Sequence, residues 1–178
     1  MNPKNTLCLI VDIQERLLPA LFGADEMLER CRLLIQGLTA LDIPFAVTEQ
    51  YPKGLGNTVS AVSLLLPEGT PVVEKTRFSA FLPEIQEILR KNDIKHVILV
   101  GAEAHICMLQ TALDLKAQGY AVSLPFECTA SRTTANRDNG LAQLSRQGII
   151  VSNVESILFQ LLGDAKHPAF KTISKLIQ

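Results

Sequence analysis

The chain has 178 residues, of which 47% are hydrophobic and 20% are charged, with a formal net charge of -1. This is enough apolar material for a full core, so we expect one domain over residues 1–178. The small net charge gives no field for nucleic acid or an acidic membrane surface. No apolar run approaches the roughly 20 residues that span a bilayer, so we expect a cytoplasmic protein without a membrane partner.

Apolar runs that predict strands alternate with segments of helical periodicity. The predicted strands cover residues 6–12, 44–49, 71–75, 95–101, 121–124 and 149–153. The predicted helices cover residues 26–41, 83–92, 106–118, 134–147, 155–162 and 167–177. Strands that are apolar throughout are typical of a parallel sheet covered on both faces. We therefore predict a three-layer α-β-α, doubly wound (Rossmann-like) domain with six parallel strands.

Three reactive side chains follow predicted strands directly. Asp12 ends the first strand, Lys75 ends the third, and Cys107 follows the fourth in the first turn of a helix. The crevice of a doubly wound sheet opens at the carboxyl ends of its strands. The strand order 3-2-1-4-5-6 brings an acid, a cation and a thiol together there, and we adopt it for that reason. The helix amino end and the lysine would favour the thiolate of Cys107.

The remaining cysteines and the common nucleotide motifs indicate no other site. Cys8 lies in an apolar strand and Cys31 on an amphipathic helix, so both are predicted to be buried core residues. Cys128 follows a strand end, and a structural role is favoured over a functional one. The four cysteines do not form a C-x-x-C motif, so the sequence gives no indication of a zinc or redox site. No G-x-G-x-x-G follows a strand, and both the P-loop and the G-x-S-x-G elbow are absent. We therefore expect neither a metal nor a cofactor.

The strand-end motifs resemble those of the isochorismatase-like cysteine hydrolases, a family that includes nicotinamidases and N-carbamoylsarcosine amidohydrolases. The likeness covers nearly the whole chain and rests on residues 11–14 (VDIQ), 74–81 (EKTRFSAF) and 101–107 (GAEAHIC), in that order. Residues 48–56 (TEQYPKGLG) and 163–168 (GDAKHP) resemble most closely the isochorismatase-domain-containing subgroup. For this subgroup the resemblance implies no assigned physiological substrate.

The chain departs from some relatives at positions that carry chemistry. Nicotinamidases have an Asp-x-His motif and further histidines as a metal site, whereas this loop contains Glu49 and Tyr51, and the first histidine is His96. The metal-dependent nicotinamidase hypothesis is therefore disfavoured. Many relatives have threonine three residues before the cysteine, where this chain has Ala104. Isochorismatases that cleave a vinyl ether commonly lack the cysteine, so Cys107 favours acyl chemistry.

The resemblance implies roles for the three strand-end residues. Cys107 would be the nucleophile, Asp12 the base, and Lys75 the cation that keeps Asp12 ionised and stabilises the thiolate. An oxyanion hole would consist of the backbone N–H groups of Glu103 and Cys107. The resemblance also implies a cis peptide bond between Ala102 and Glu103.

Neighbouring side chains allow competing interpretations. The Glu103 side chain is expected to pair with Arg132 or Lys116 instead of taking part in catalysis. A Cys–His dyad with His105 is disfavoured, because a residue two positions before the cysteine faces elsewhere on a helix. A glycosidase pair of Asp12 with Glu49 is weaker still, because it leaves Cys107 and Lys75 without roles.

Large apolar residues in loops after strand ends are candidates for the walls of a small substrate pocket. The candidates are Leu17, Leu18, Tyr51, Phe78 and Phe81. An equally weighted alternative is that they cover the core or form a subunit contact. The resemblance to oligomeric proteins leads us to expect a homo-oligomer.

Three functional hypotheses remain. The first is a metal-independent amidohydrolase that acts on a small carboxamide or related carbonyl compound. The second is a non-catalytic oligomeric binding or scaffold protein, which would not require an acid, a lysine and a thiol at one sheet edge. The third is an isochorismate-type vinyl-ether hydrolase, which would tolerate loss of Cys107. The first explains all three residues.

Overall fold

Seven parallel strands form one sheet in the computed structural model, which describes residues 1–178. Their order is β3-β2-β1-β4-β5-β7, and β6 pairs with β4 off this path. The strands are β1 (Thr6–Val11), β2 (Phe45–Gln50), β3 (Val72–Lys75), β4 (His96–Ala102), β5 (Ala121–Pro125), β6 (Thr129–Ala130) and β7 (Ile150–Ser152).

The predicted strand order is confirmed, with β7 as the sixth strand of the prediction. The predicted number of strands is wrong by one, because β6 has only two residues and no apolar run marks it. Thr129 Oγ1 donates a hydrogen bond to the carbonyl oxygen of Gly101 at 2.8 Å, which helps to hold this short strand against β4.

Helices cover both faces of the sheet. They are α1 (Ala24–Thr39), α2 (Pro52–Leu55), α3 (Ser60–Ser63), α4 (Pro83–Lys91), α5 (Leu109–Ala117), α6 (Thr134–Arg146), α7 (Val154–Leu162) and α8 (Phe170–Leu176). A π-helical turn, Ala104–Met108, leads into α5, where the sequence predicted a regular α-helix from residue 106. The four-residue helices α2 and α3 were not predicted, because one turn is too short to display a helical period.

Two apolar cores lie on opposite faces of the sheet. In β1, Cys8 and Ile10 face the core formed with α1, α7 and α8, whereas Leu7 and Leu9 face the core formed with α4 and α5. All four residues are fully buried. This is the reason that β1 is apolar at every position, and it confirms the predicted three-layer architecture. None of the helices has both the length and the apolar character required of a membrane-spanning segment.

Candidate active site

Asp12, Lys75 and Cys107 meet at the carboxyl edge of the sheet. Asp12 follows β1 with a φ of 56°, a left-handed conformation that is uncommon for a residue with a side chain. Lys75 is the last residue of the outer strand β3, and Cys107 lies in the π-helical turn after β4. The side chains of Asp12 and Lys75 are fully buried, and Cys107 is 7% exposed.

Direct contacts join these three residues. Lys75 Nζ donates to Asp12 Oδ2 at 2.6 Å and lies 3.7 Å from Cys107 Sγ. The Asp12 carboxyl group and the Cys107 thiol are also close enough for each to affect the pKa of the other. The other carboxylate oxygen, Oδ1, accepts a hydrogen bond from Thr48 Oγ1 at 2.9 Å. Each Asp12 oxygen therefore has a donor, as a buried carboxylate requires.

The environment of Cys107 keeps its thiol protonated. Burial raises the pKa of Cys107 to about 12, with a further increase from the charge of Asp12 and an opposing effect of Lys75. The expectation that the helix end and the lysine would favour the thiolate is therefore wrong, because burial and the carboxylate outweigh them. As a nucleophile, Cys107 would require a base that removes its proton during attack.

The environment of Asp12 suits it to that task. Burial raises the pKa of Asp12 above its ordinary value, against the lowering effects of the Lys75 ammonium and of hydrogen bonds from Lys75 and Thr48. A carboxyl group with a raised pKa accepts and returns protons closer to neutral pH than an exposed one. Asp12 is also the carboxyl group whose charge raises the pKa of the Cys107 thiol.

The backbone around Cys107 depends on two glycines. Gly101, with a φ of 126°, lies so close to β1 that a Cβ atom would stand 1.9 Å from the carbonyl oxygen of Val11. Gly140 of α6 lies against the π-helical turn, where a Cβ atom would be 2.9 Å from the backbone of Ala104 and His105. Between strand and turn, the peptide bond from Ala102 to Glu103 is cis, as the resemblance implies.

The polar side chains next to Cys107 are engaged outside the acid–lysine–thiol cluster. Glu103 Oε2 accepts hydrogen bonds from the backbone N–H of Arg132 at 2.9 Å and from Arg132 Nε at 3.2 Å. The predicted structural pairing of Glu103 with Arg132 is thus confirmed, and Lys116 bonds to the Gln147 carbonyl instead. His105 Nδ1 lies 3.0 Å from Ser131 Oγ, so the ring faces Ser131, and the Cys–His dyad stays disfavoured.

The five predicted pocket residues occupy several environments. Leu17 and Leu18 pack against the core on the α1 side, whereas Tyr51 and Phe78 are 56% and 54% exposed. Tyr51 lines a cavity of about 380 Å³ that also borders Lys75. Phe81 packs edge-on against Tyr120 and lines a different cavity of about 680 Å³. Their role in substrate binding stays a prediction.

Three polar residues around the cluster were not predicted from the sequence. Thr48 donates to Asp12, Gln50 Oε1 accepts a hydrogen bond from Lys75 Nζ at 2.7 Å, and Gln14 clamps the backbone of Gln50. Gln14 and Thr48 are fully buried. Polar residues at the carboxyl end of an otherwise apolar strand were the available signal, and they were noted only as parts of motifs. Cys8 and Cys31 are buried as predicted, and Cys128 is buried as well.

Comparison with known proteins identifies relatives along the full chain. The family model of the isochorismatase domain matches residues 6–156. Isochorismatase domain-containing protein 1 of Salmo salar is 42% identical over 177 residues, which are 99% of this chain and 62% of that protein. This chain therefore spans less than two thirds of the length of that relative.

Solved structures show the same fold. The MAR1 ribonuclease of Caenorhabditis elegans superposes with a TM-score of 0.95 and 38% identity, covering 99% of this chain and 91% of that chain. The YcaC gene product of Escherichia coli, described as an octameric hydrolase of unknown specificity, has a TM-score of 0.92. It is 17% identical and covers 99% of this chain and 88% of its own, a likeness of fold alone. The chain belongs to the isochorismatase family, within which it is similar to the isochorismatase domain-containing proteins.

Proposed function

We propose that this protein is a metal-independent cysteine hydrolase that cleaves a small amide or related carbonyl compound through a thioester. The observation that carries the proposal is the buried contact of Lys75 Nζ with Asp12 Oδ2 at 2.6 Å and with Cys107 Sγ at 3.7 Å. A burial this complete is costly for a charged pair and is typical of sites that use the charge.

In the first half-reaction, Cys107 Sγ attacks the carbonyl carbon while Asp12 takes the thiol proton. The C–O π electrons move to the oxygen, which accepts hydrogen bonds from the backbone N–H groups of Glu103 and Cys107. Collapse of this intermediate breaks the C–N bond, and Asp12 returns the proton to the departing nitrogen. The products are a free amine or ammonia and a thioester on Cys107.

In the second half-reaction, Asp12 takes a proton from water, whose oxygen attacks the thioester carbonyl. Collapse breaks the C–S bond, and the proton moves from Asp12 to the sulfur, which restores the neutral thiol. The raised pKa of Asp12 supports both transfers, since the carboxyl group must bind the proton and give it back. Lys75 compensates the charge of Asp12 whenever the carboxylate is ionised.

A screen of small amides for ammonia or amine release tests the proposal. We expect Cys107→Ala to abolish turnover of any amide that the wild type cleaves, because no sulfur remains to form the thioester. Cys31→Ala is the matched control, since Cys31 is also a buried thiol and its Sγ donates to the Cys128 carbonyl, away from Asp12 and Lys75. Full amide turnover by Cys107→Ala would contradict the thioester mechanism, and inactivity of the wild type on all amides would favour the vinyl-ether or the scaffold hypothesis.

We also propose that the protein acts as a homo-oligomer. Several aromatic side chains, including Phe22 and Phe126, are at least 44% exposed, and a structural neighbour is described as octameric. Light scattering after size-exclusion chromatography measures the molar mass directly, and a monomer at micromolar concentration would contradict this.

The ribonuclease activity that names the nematode relative has no support here, since a net charge of -1 provides no field for RNA.

A further inference from the structure

The ammonium group of Lys75 has more acceptors than protons. Its Nζ atom lies 2.6 Å from Asp12 Oδ2, 2.7 Å from Gln50 Oε1 and 3.0 Å from the Phe78 carbonyl oxygen. The Arg77 carbonyl oxygen lies at 3.2 Å. Because an ammonium group has three N–H bonds, the three shortest contacts suffice to engage them all. The position of Nζ relative to Cys107 is therefore set by these acceptors, of which Gln50 is the only neutral side chain.

Gln50 is itself fixed from both sides. Gln14 Oε1 accepts a hydrogen bond from the backbone N–H of Gln50 at 2.8 Å, and Gln14 Nε2 donates to the Gln50 carbonyl at 3.0 Å and to the Gly56 carbonyl at 2.7 Å. The side-chain Nε2 of Gln50 donates to the Thr76 carbonyl at 2.9 Å. With its N–H₂ group engaged there, the amide must present oxygen to Lys75.

The charge of the acceptor at position 50 matters because the Lys75 ammonium stabilises the charge of Asp12. The titratable side chains in contact with the ammonium are Asp12 and Cys107. The nearby Glu49 accepts hydrogen bonds from Thr58, and Glu103 accepts them from Arg132. A carboxylate in place of the Gln50 amide would compete with Asp12 for the same ammonium.

We propose that Gln50, clamped by the buried Gln14, is a positioning residue that holds the Lys75 ammonium between Asp12 and Cys107 and acts because its acceptor oxygen is uncharged. This inference rests on the proposed function, in which Asp12 takes the thiol proton. The side chain of Gln50 is hydrogen-bonded to Lys75 and to the Thr76 carbonyl, so it acts on the thiol through Lys75.

The test is Gln50→Glu, which keeps the shape of the side chain and adds one negative charge. The readout is the rate of Cys107 alkylation by iodoacetamide as a function of pH, whose acid limb reports protonation of Asp12. We expect this limb to move upward by about one pH unit, because a second carboxylate raises the pKa of Asp12. Gln36→Glu is the matched control, since it adds the same charge on the exposed side of α1 near its carboxyl end, and its limb should not move.

Gln50→Met provides a second, uncharged test that is independent of how well Gln50→Glu folds. It removes the acceptor without adding charge, so the plateau rate of alkylation should fall by roughly five- to tenfold, as expected for one lost hydrogen bond, while the limb does not move upward. A Gln50→Glu limb that coincides with the wild type, or a Gln50→Met plateau equal to it, would overturn the inference. If Asp12→Asn and Lys75→Ala also left the profile unchanged, the proposed function itself would fail.

Discussion

At the scale of single residues, the site combines a neutral thiol with a buried base. Burial raises the pKa of Cys107 to about 12, so the thiolate is a minor species near neutral pH. In the proposed mechanism, Asp12 generates the thiolate during attack, and both residues contact the Lys75 ammonium. Lys75 allows the carboxylate to exist in this buried setting, because without its charge the protonated acid would be favoured more strongly.

This division of labour predicts different alkylation profiles for Asp12→Asn and Lys75→Ala. Asp12→Asn should slow alkylation of Cys107 and remove the acid limb of its pH dependence, because the isosteric amide cannot take the proton. Lys75→Ala should keep the limb and move it to higher pH, since loss of the cation raises the pKa of Asp12. Mass-spectrometric peptide mapping after brief treatment with iodoacetamide measures the rate at each pH.

The other three thiols provide an internal control for that experiment. Cys8, Cys31 and Cys128 have no exposed surface, and burial raises the pKa of Cys8 and Cys128 strongly. Cys107 should therefore be labelled first in the folded wild type, with circular dichroism confirming the fold of each variant. The proposed triad would have to be abandoned if Cys8 or Cys31 were labelled faster than Cys107. The same holds if Asp12→Asn and Lys75→Ala both kept the alkylation profile of the wild type.

At the scale of secondary-structure elements, helix α6 supports the turn that carries the nucleophile. Gly140 lets its backbone approach that of Ala104 and His105, where a Cβ atom would meet carbonyl carbon, carbonyl oxygen and nitrogen atoms at 2.9 Å. Backbone atoms cannot move aside as the end of a side chain can. The position of Cys107 thus depends on the absence of a methyl group on the facing helix.

We therefore expect Gly140→Ala to reduce the free energy of unfolding by about 1–3 kcal/mol, as overpacking does. Gly37→Ala in α1 is the matched control, because there a Cβ atom would meet the methyl groups of Leu158, which can rotate away. Urea unfolding monitored by circular dichroism measures both changes. A loss for Gly140→Ala no greater than that for Gly37→Ala would contradict this account.

The elements that could be predicted from the sequence were those with a long run of apolar residues or a clear helical periodicity. The fully buried strands β1 and β4 stand out because each has apolar residues facing both cores. Strand β6 has two residues and is held by a hydrogen bond from Thr129, so no local pattern marks it. The π-helical turn before α5 arises from how that segment packs on β4 and α6, which depends on tertiary contacts.

At the scale of the whole molecule, the reactive cluster was predictable because fold topology determines it. Placing Asp12, Lys75 and Cys107 after parallel strands is sufficient to bring them to one edge of the sheet. The supporting Gln14 and Gln50 were missed, because their roles depend on partners that are distant in the sequence. The proposed role of the five pocket residues stays a prediction.

The stability of the molecule should also depend on pH through His96, at the start of β4. Its ring lies 2.8 Å from Ser123 Oγ, and burial lowers its pKa to about 4 from an ordinary 6.5. The unfolded chain then binds a proton between these values that the folded chain does not. The contribution of neutral His96 to the free energy of unfolding is complete above about pH 6.5 and is lost as the pH falls toward about 4.

Between pH 7.5 and pH 5, His96 should account for a loss of about 2 kcal/mol in the free energy of unfolding. His96→Gln lacks a group that titrates in this range, so its stability should fall by that much less over the same interval. Urea unfolding of both proteins at the two pH values measures the difference. Equal losses would show that His96 does not contribute.

The location of Lys75 has a consequence for how the protein fails under mild denaturation. Strand β3 has four residues, lies at the edge of the sheet and pairs only with β2. Edge segments of this kind exchange their amide protons through local openings that need far less free energy than global unfolding. Each such opening withdraws the ammonium from Asp12 while both cores stay intact. The fraction of molecules in which Lys75 contacts Asp12 therefore depends on local opening of one short strand. Activity should decline at denaturant concentrations at which the helical circular dichroism signal is still native.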